Sequence, residues 1–257
     1  MRVNSVKFAV ARQAAWAPGL SDVSDWAAWA GAEQPAPIVA AGPGVAEAPV
    51  PQLPPLLRRR AGALGKMALQ AAFSCLGDLE SIPAVFCSRH GELVRAVELI
   101  SALVQGEGVS PTGFGLSVHN ASAGLLSIAR GERASHFALA AGAATVEHGV
   151  IEACGLLADG APMVLLVVYD APLPAPLRHF QDCEEQPFAF AWAMVAADAD
   201  ADADPIELAW QASRHDVAPP AGPTQPGGLE ALRFQLSGAM RMQREAQQRC
   251  WTWSRGA

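Results

Sequence analysis

Ser122 sits in the stretch Ser117–Gly131, SVHNASAGLLSIARG, which reads as a buried strand running into a helix with the serine at the turn. A residue at a helix entry faces unpaired backbone N–H groups and the positive end of the helix dipole. That field favours a thiolate nucleophile more than a serine hydroxyl. A serine needs a base at hydrogen-bond distance. His119 lies three residues earlier on a segment that reads as extended, so its side chain is expected on the opposite face. The local string NASAG places Asn120 where a GxSxG elbow needs its first glycine. Helix N-capping accounts for Ser122 equally well.

Other groups with chemical potential are less organised. Arg89–Glu92, RHGE, gathers ionisable side chains just after a strand, where open α/β sheets place ligands. The same string reads as a turn followed by a glutamate in the first turn of a helix. Asp198, Asp200 and Asp202 have the 1-3-5 spacing of a calcium loop, but the sixth position is Ala203 and the twelfth Ala209, where glycine and glutamate are required. The tract reads as a solvated hairpin loop. The six histidines show no HxxxH-type ligand spacing, and His119 and His136 read as structural, hydrogen-bonded residues on or beside strands. No metal site or cofactor is expected.

The elements that would hold these residues follow from apolar periodicity. DWAAWAGA reads as a short helix, residues 61–76 as an Ala/Leu-rich helix, and AVFC (84–87) as a strand. Leu93, Val97, Ile100 and Val104 recur at helical spacing within ELVRAVELISALV. GVSPTGFGLSVHN is a Pro/Gly loop leading to a strand, ASAGLLSIARG a helix stopped by Gly131, and HFALAAGA a buried strand. VEHGVIEACGLLADG is a helix, PMVLLVVYD a β-branched strand and FAFAWAMVAA another strand. IELAWQASR is expected as the returning strand of a hairpin, PPAGPTQPGG as a linker, and Leu229, Leu232, Leu236 and Met240 as one stripe of a last helix. The order strand–helix–strand–helix–strand predicts a single α/β domain over 1–257. Its core spans about 56–197 and its C-terminal hairpin and helix about 198–257. Its sheet is expected to be mostly parallel and covered on both faces.

Composition narrows the function classes. The chain has 257 residues, about half of them apolar, enough for a sizeable core. A formal charge of −7 argues against electrostatic nucleic-acid binding. Arg58, Arg59 and Arg60 form the one short basic run. Five dispersed cysteines without CxxC point to a reducing compartment. The N-terminal apolar run is broken at Arg12 and Gln13, a poor signal peptide, and Met163–Tyr169 is far short of the ~20 residues of a membrane helix. A cytoplasmic protein without a membrane span is expected.

LSVHNASAGLLSIARG followed by LAAGAATVEHGVIEACGLLADGAPMVLLVVYDAPLP resembles the N-terminal half of the β-ketoacyl synthases, with their thiolase-like layered fold. FCSRHGELVRAVELI and SPTGFGLSVHNA are similar to the short, chain-length-factor-like proteins of aryl polyene and xanthomonadin-type pigment clusters. The resemblance covers roughly Leu56 to Ala197 of a chain truncated relative to a full synthase. It implies a T-A-C-x-S/G string around the catalytic cysteine, and it sets Ser122, in N-A-S-A-G, at that cysteine's place as a vestigial nucleophile. It also implies two C-terminal catalytic histidines. The late histidines here, His179 and His215, lie in loop-like contexts and do not match them.

The resemblance therefore implies a non-condensing subunit that pairs with a catalytic β-ketoacyl synthase, shapes its acyl tunnel and meets acyl carrier protein indirectly. A homodimer is expected when it is alone. Tunnel or interface candidates are Leu99, Leu103, Phe114, His119 and Asn120, and carrier-docking candidates are Arg58, Arg59 and Arg60. The alternative is a serine-dependent acyltransferase or thioesterase using Ser122. A stand-alone acyl-binding or carrier-docking module is a third reading, disfavoured by the acidic balance because carrier proteins are usually acidic too.

Overall fold

Side chains that alternate along a strand face opposite sides of a sheet, and FAFAWAMVA obeys this rule. In the computed structural model, which describes residues 4–39, 47–199, 204–213 and 224–256, Phe188, Phe190, Trp192 and Met194 enter one core layer while Ala189, Ala191 and Ala193 enter the other. The sheet is thus buried on both faces, as expected. The alanine side lets a helix lie close and the aromatic side fills a deeper layer.

The chain begins with a long strand, β1 (Asn4–Trp16), then α1 (Val23–Gly31), α2 (Pro55–Arg60) and α3 (Ala63–Leu76). β2 (Ala84–Cys87) leads into α4 (Leu93–Val104), α5 (Pro111–Gly115) and α6 (Ala121–Arg130). β3 (His136–Leu139) and α7 (Thr145–Ala158) precede β4 (Val164–Asp170) and β5 (Phe188–Ala196). β6 (Ile206–Ala212), α8 (Gly227–Ser237) and the hairpin β7 (Arg241–Ala246) and β8 (Arg249–Arg255) complete it. The eight strands form one sheet in the order β3-β2-β4-β5-β1-β6-β8-β7. Helices α1, α7 and α8 pack on its aromatic face and α3 and α6 on the other.

Five expectations change. The sheet is not mostly parallel: β2 pairs in parallel with β3 and β4, and the pairings from β4 through β5, β1, β6, β8 and β7 are antiparallel. Continuous apolar runs report burial on two faces, not direction; the β4–β5 connection lacks the crossover helix that parallel pairing needs. β6 does not return against β5, because β1 stands between them. Residues 117–120 are turns following α5 rather than a strand, and β3 is an exposed edge strand rather than a buried one. The last helix stops at the left-handed Gly238 (φ +66°), so Met240 leaves the stripe and is exposed, and the tail folds back as the β7–β8 hairpin. His215, Asp200, Asp202 and the first half of the expected linker lie outside the described residues, and its last two residues, Gly227 and Gly228, open α8.

Candidate functional site

α6 is entered from the turn after α5, and Ser122 is its second residue, 2 % exposed. Asn120 rather than Ser122 is the N-cap, and its side chain makes no cap bond. The Ser122 hydroxyl faces the phenol of Tyr169, at the end of β4, and acts to lower it. Burial raises the Tyr169 phenol above its ordinary range, so it stays neutral. Glu92 comes close from the other side. Its carboxylate accepts from the Gly65 N–H, capping α3, whose own N-cap is Gly62 without a side chain. A β-carbon on Gly65 would meet Glu92 Oε1 at 3.1 Å and Ser122 Oγ at 3.2 Å, so the bare glycine makes room for both groups. Burial raises the Glu92 carboxyl, opposed by Arg95 and the Gly65 amide. Glu92 stands at the N-cap of α4, as its place in the sequence suggested, but its side chain makes no cap bond there and turns to the start of α3 instead.

His119 stands in a turn rather than in the expected strand, and its ring is engaged by other residues. Its Nε2 pairs with the Leu139 carbonyl at 3.1 Å, and its Nδ1 lies over Gly91, where a β-carbon would be only 2.6 Å away. It fastens the β2–α4 turn to the end of β3. The rest of RHGE is likewise committed. Asp170 accepts from Ser88 Oγ (2.9 Å) and the Arg89 N–H (2.8 Å), and burial pushes its carboxyl up to about 7. Arg89 pairs with Asp182 and reaches Cys183 Sγ at 2.8 Å. His90 stands 3.7 Å from Glu185, its imidazole lowered first by burial and then by Arg89.

The tunnel and docking candidates divide. Leu99 lines an open cavity of about 430 Å³ together with Arg59, Arg60, Arg95 and Glu98, whereas Leu103 and Phe114 stand in solvent, 61 % and 63 % exposed. Arg58 is spent on the Pro51 and Leu53 carbonyls. A second cavity of about 280 Å³, lined by Glu92, Leu93, Arg95 and Leu173 among others, begins across Arg95 and Glu98. Among the described residues no group of three potential metal ligands occurs, and no helix is long and apolar enough to cross a membrane.

Two features had no counterpart in the sequence reading. On α7, Glu147 is fully buried and receives Arg244 Nη1 of β7 at 2.7 Å, while Arg244 Nε holds Glu230 of α8, also at 2.7 Å. Arg244 also donates to the Ala143 carbonyl at 3.1 Å. A lone glutamate inside an amphipathic helix carries no sequence sign of a partner a hundred residues later. The other is the junction from β3 to α7, a sharp turn through Gly142 at φ +54°. There the Ala141 N–H donates to Thr145 Oγ1 (3.0 Å), and that hydroxyl donates to the Gly142 carbonyl (2.7 Å).

Comparison with known proteins adds to this geometry. A family model described as β-ketoacyl synthase, N-terminal domain, matches residues 26–254. The fold is similar to a chain of a ketosynthase (ApeO) in complex with its chain length factor (ApeC) from Xenorhabdus doucetiae. The TM-score is 0.82 and the identity 28 %, over 97 % of this chain and 100 % of that one. It is also similar to the ishigamide ketosynthase/chain length factor (TM-score 0.64, 17 % identity, 82 % of this chain and 69 % of that one). A β-ketoacyl synthase from Burkholderia phymatum STM815 shares the fold (TM-score 0.58, 15 % identity, 91 % and 71 %). No curated protein sequence matches.

Proposed function

The chain belongs to the β-ketoacyl synthase N-terminal-domain family, and from that premise we propose that it is a non-condensing partner subunit of a type II system. It pairs with a catalytic β-ketoacyl synthase and shapes that enzyme's acyl tunnel in the making of an aryl polyene or related pigment. The likeness to a ketosynthase–chain length factor complex supports the pairing. A cytoplasmic setting and indirect contact with acyl carrier protein belong to the same reading.

The observation that carries it is the free edge of β3. His136, Phe137 and Ala138 are all exposed, and Phe137 shows 40 % of its surface. Many of the large apolar residues left in solvent lie on the elements that precede this edge in the chain, Ile100, Leu103 and Val104 on α4, Phe114 on α5 and Ile128 on α6, while Val23, Val39, Leu56, Phe180 and Met240 lie elsewhere. An unpaired apolar edge is a liability unless another strand covers it. The opposite edge, β7, reads RMQREA and is guarded by charges. Pairing of β3 with a synthase strand across a two-fold axis buries the apolar edge.

Ser122 is not needed as a nucleophile in this reading. A serine enzyme requires a base on the hydroxyl; the Tyr169 phenol beside Ser122 is kept protonated by burial, and the nearby Glu92 carboxylate is engaged with the Gly65 amide of α3. The test is the solution mass of the chain co-expressed with the synthase of its own gene neighbourhood. A tight one-to-one complex is the expected result. A well-behaved lone protein that ignores the synthase overturns the proposal.

A further inference from the structure

Enzymes of α/β architecture seat nucleophiles on a sharp strand-to-helix turn, where backbone strain projects the side chain from the helix N-terminus. Ser122 does not occupy such a turn, because no strand precedes α6. The β3–α7 junction has that form. A strand ends at Leu139, Gly142 takes φ +54°, and a 14-residue helix follows, with the Thr145 hydroxyl bonded to both Ala141 and Gly142. The seat is built, but residue 142 has no side chain.

The vacant space is filled from elsewhere. Gln247 Nε2 lies only 2.4 Å from where a β-carbon on residue 142 would stand. Gln247 is the first residue of the β7–β8 turn, and both it (φ +52°) and Gln248 (φ +58°) hold left-handed backbone that non-glycine residues rarely adopt. The hairpin is fastened to the same helix end from both strands. Arg244 of β7 grips the Ala143 carbonyl and Glu147, and Trp251 of β8 meets the His148 ring edge-on at 5.5 Å. A glycine turn and a left-handed glutamine, a hundred residues apart, are thus brought face to face.

We infer that Gly142 is the degenerate nucleophile seat of this chain and that the Gln247 carboxamide, delivered by the β7–β8 hairpin, plugs it against an electrophilic acyl group. The inference rests on the reading of the chain as a non-condensing synthase homologue, and not on its pairing with a partner. It moves the vestigial position from Ser122 to residue 142.

The test uses the full chain. Gln247→Gly suits the left-handed turn, so it folds, and amide hydrogen exchange at residues 142–147 is expected to speed up severalfold. Unchanged protection overturns the plug. Gly142→Cys, with and without Gln247→Gly, and Ser122→Cys are then treated with iodoacetamide, which the thiolate attacks with loss of iodide. Peptide masses give the rates, with the half-buried Cys250 as internal reference. Residue 142 should be alkylated roughly tenfold faster once Gln247 is removed, while Ser122→Cys stays unmodified in the folded chain. Equal rates with and without Gln247 overturn the plug, and faster alkylation at residue 122 returns the seat to α6. Acylation of the native chain at Ser122 by an acyl thioester would instead overturn the non-condensing reading, a separate outcome.

Discussion

Burial turns several polar residues of this chain into structural parts. Ser122 is one, since its hydroxyl serves the buried Tyr169 phenol. Ser122→Ala is expected to leave pigment formation by the reconstituted system nearly intact while lowering stability by about 1 kcal/mol in urea unfolding. Loss of product with the fold preserved contradicts this. Asp170 gives a pH signature. Burial raises its folded carboxyl to about 7, above the value near 3.9 in an unfolded chain. The folded state therefore holds the proton more tightly, and the resulting stability is full below the unfolded value and lost as pH rises through 7. Asp170→Asn retains the acceptor for Ser88 and Arg89 without the titration. The native chain should lose stability relative to this variant between about pH 4 and 7, read as diverging melting temperatures. Parallel curves argue against a raised Asp170.

At the scale of elements, an edge and a turn are informative. Phe137→Lys on β3 changes a side chain that is 40 % exposed, so the lone fold should shift by about 1 kcal/mol and stay folded. The same change is expected to abolish the complex with the synthase, measured by size-exclusion mass. An intact complex would move the interface away from β3. In the β7–β8 turn, Gln248→Gly relieves a left-handed residue and is expected to stabilise the chain by roughly 0.5–1 kcal/mol.

At the scale of the molecule, Arg244 joins α7, α8 and the C-terminal hairpin through two carboxylates, one of them fully buried. Removing the guanidinium strands a charge in the core. Arg244→Met is expected to cost about 3–5 kcal/mol, and adding Glu147→Leu should recover much of it, because both charges then leave together. Additive losses in chemical unfolding would show that the pair is not coupled. The arrangement also explains why the tail is integral: Trp251 and Trp253 of β8 are fully buried in the aromatic layer.

The sequence by itself determined the α/β class, the two-sided burial of the sheet, the strands at 84–87 and 164–170, and the helices around 63–76 and 93–104. Local periodicity carries those features, and the motifs around Ser88–Ile100 and Ser110–Gly131 led to the family. It did not determine strand direction, the insertion of β1 between β5 and β6, or the turn preceding Ser122. β1 is apolar and polar by turns without strict alternation, because its ladder with β5 shifts register between Val10 and Arg12. RMQREAQQRC carries no turn signal of the Asn-Gly kind, so the last hairpin was illegible. The site had the same fate. That Gln247 stands over Gly142, that Glu92 caps α3 beside Ser122, and that Glu147 finds Arg244 are long-range meetings. Only the packing of distant segments decides them, since no local propensity encodes which buried carboxylate a remote arginine will reach.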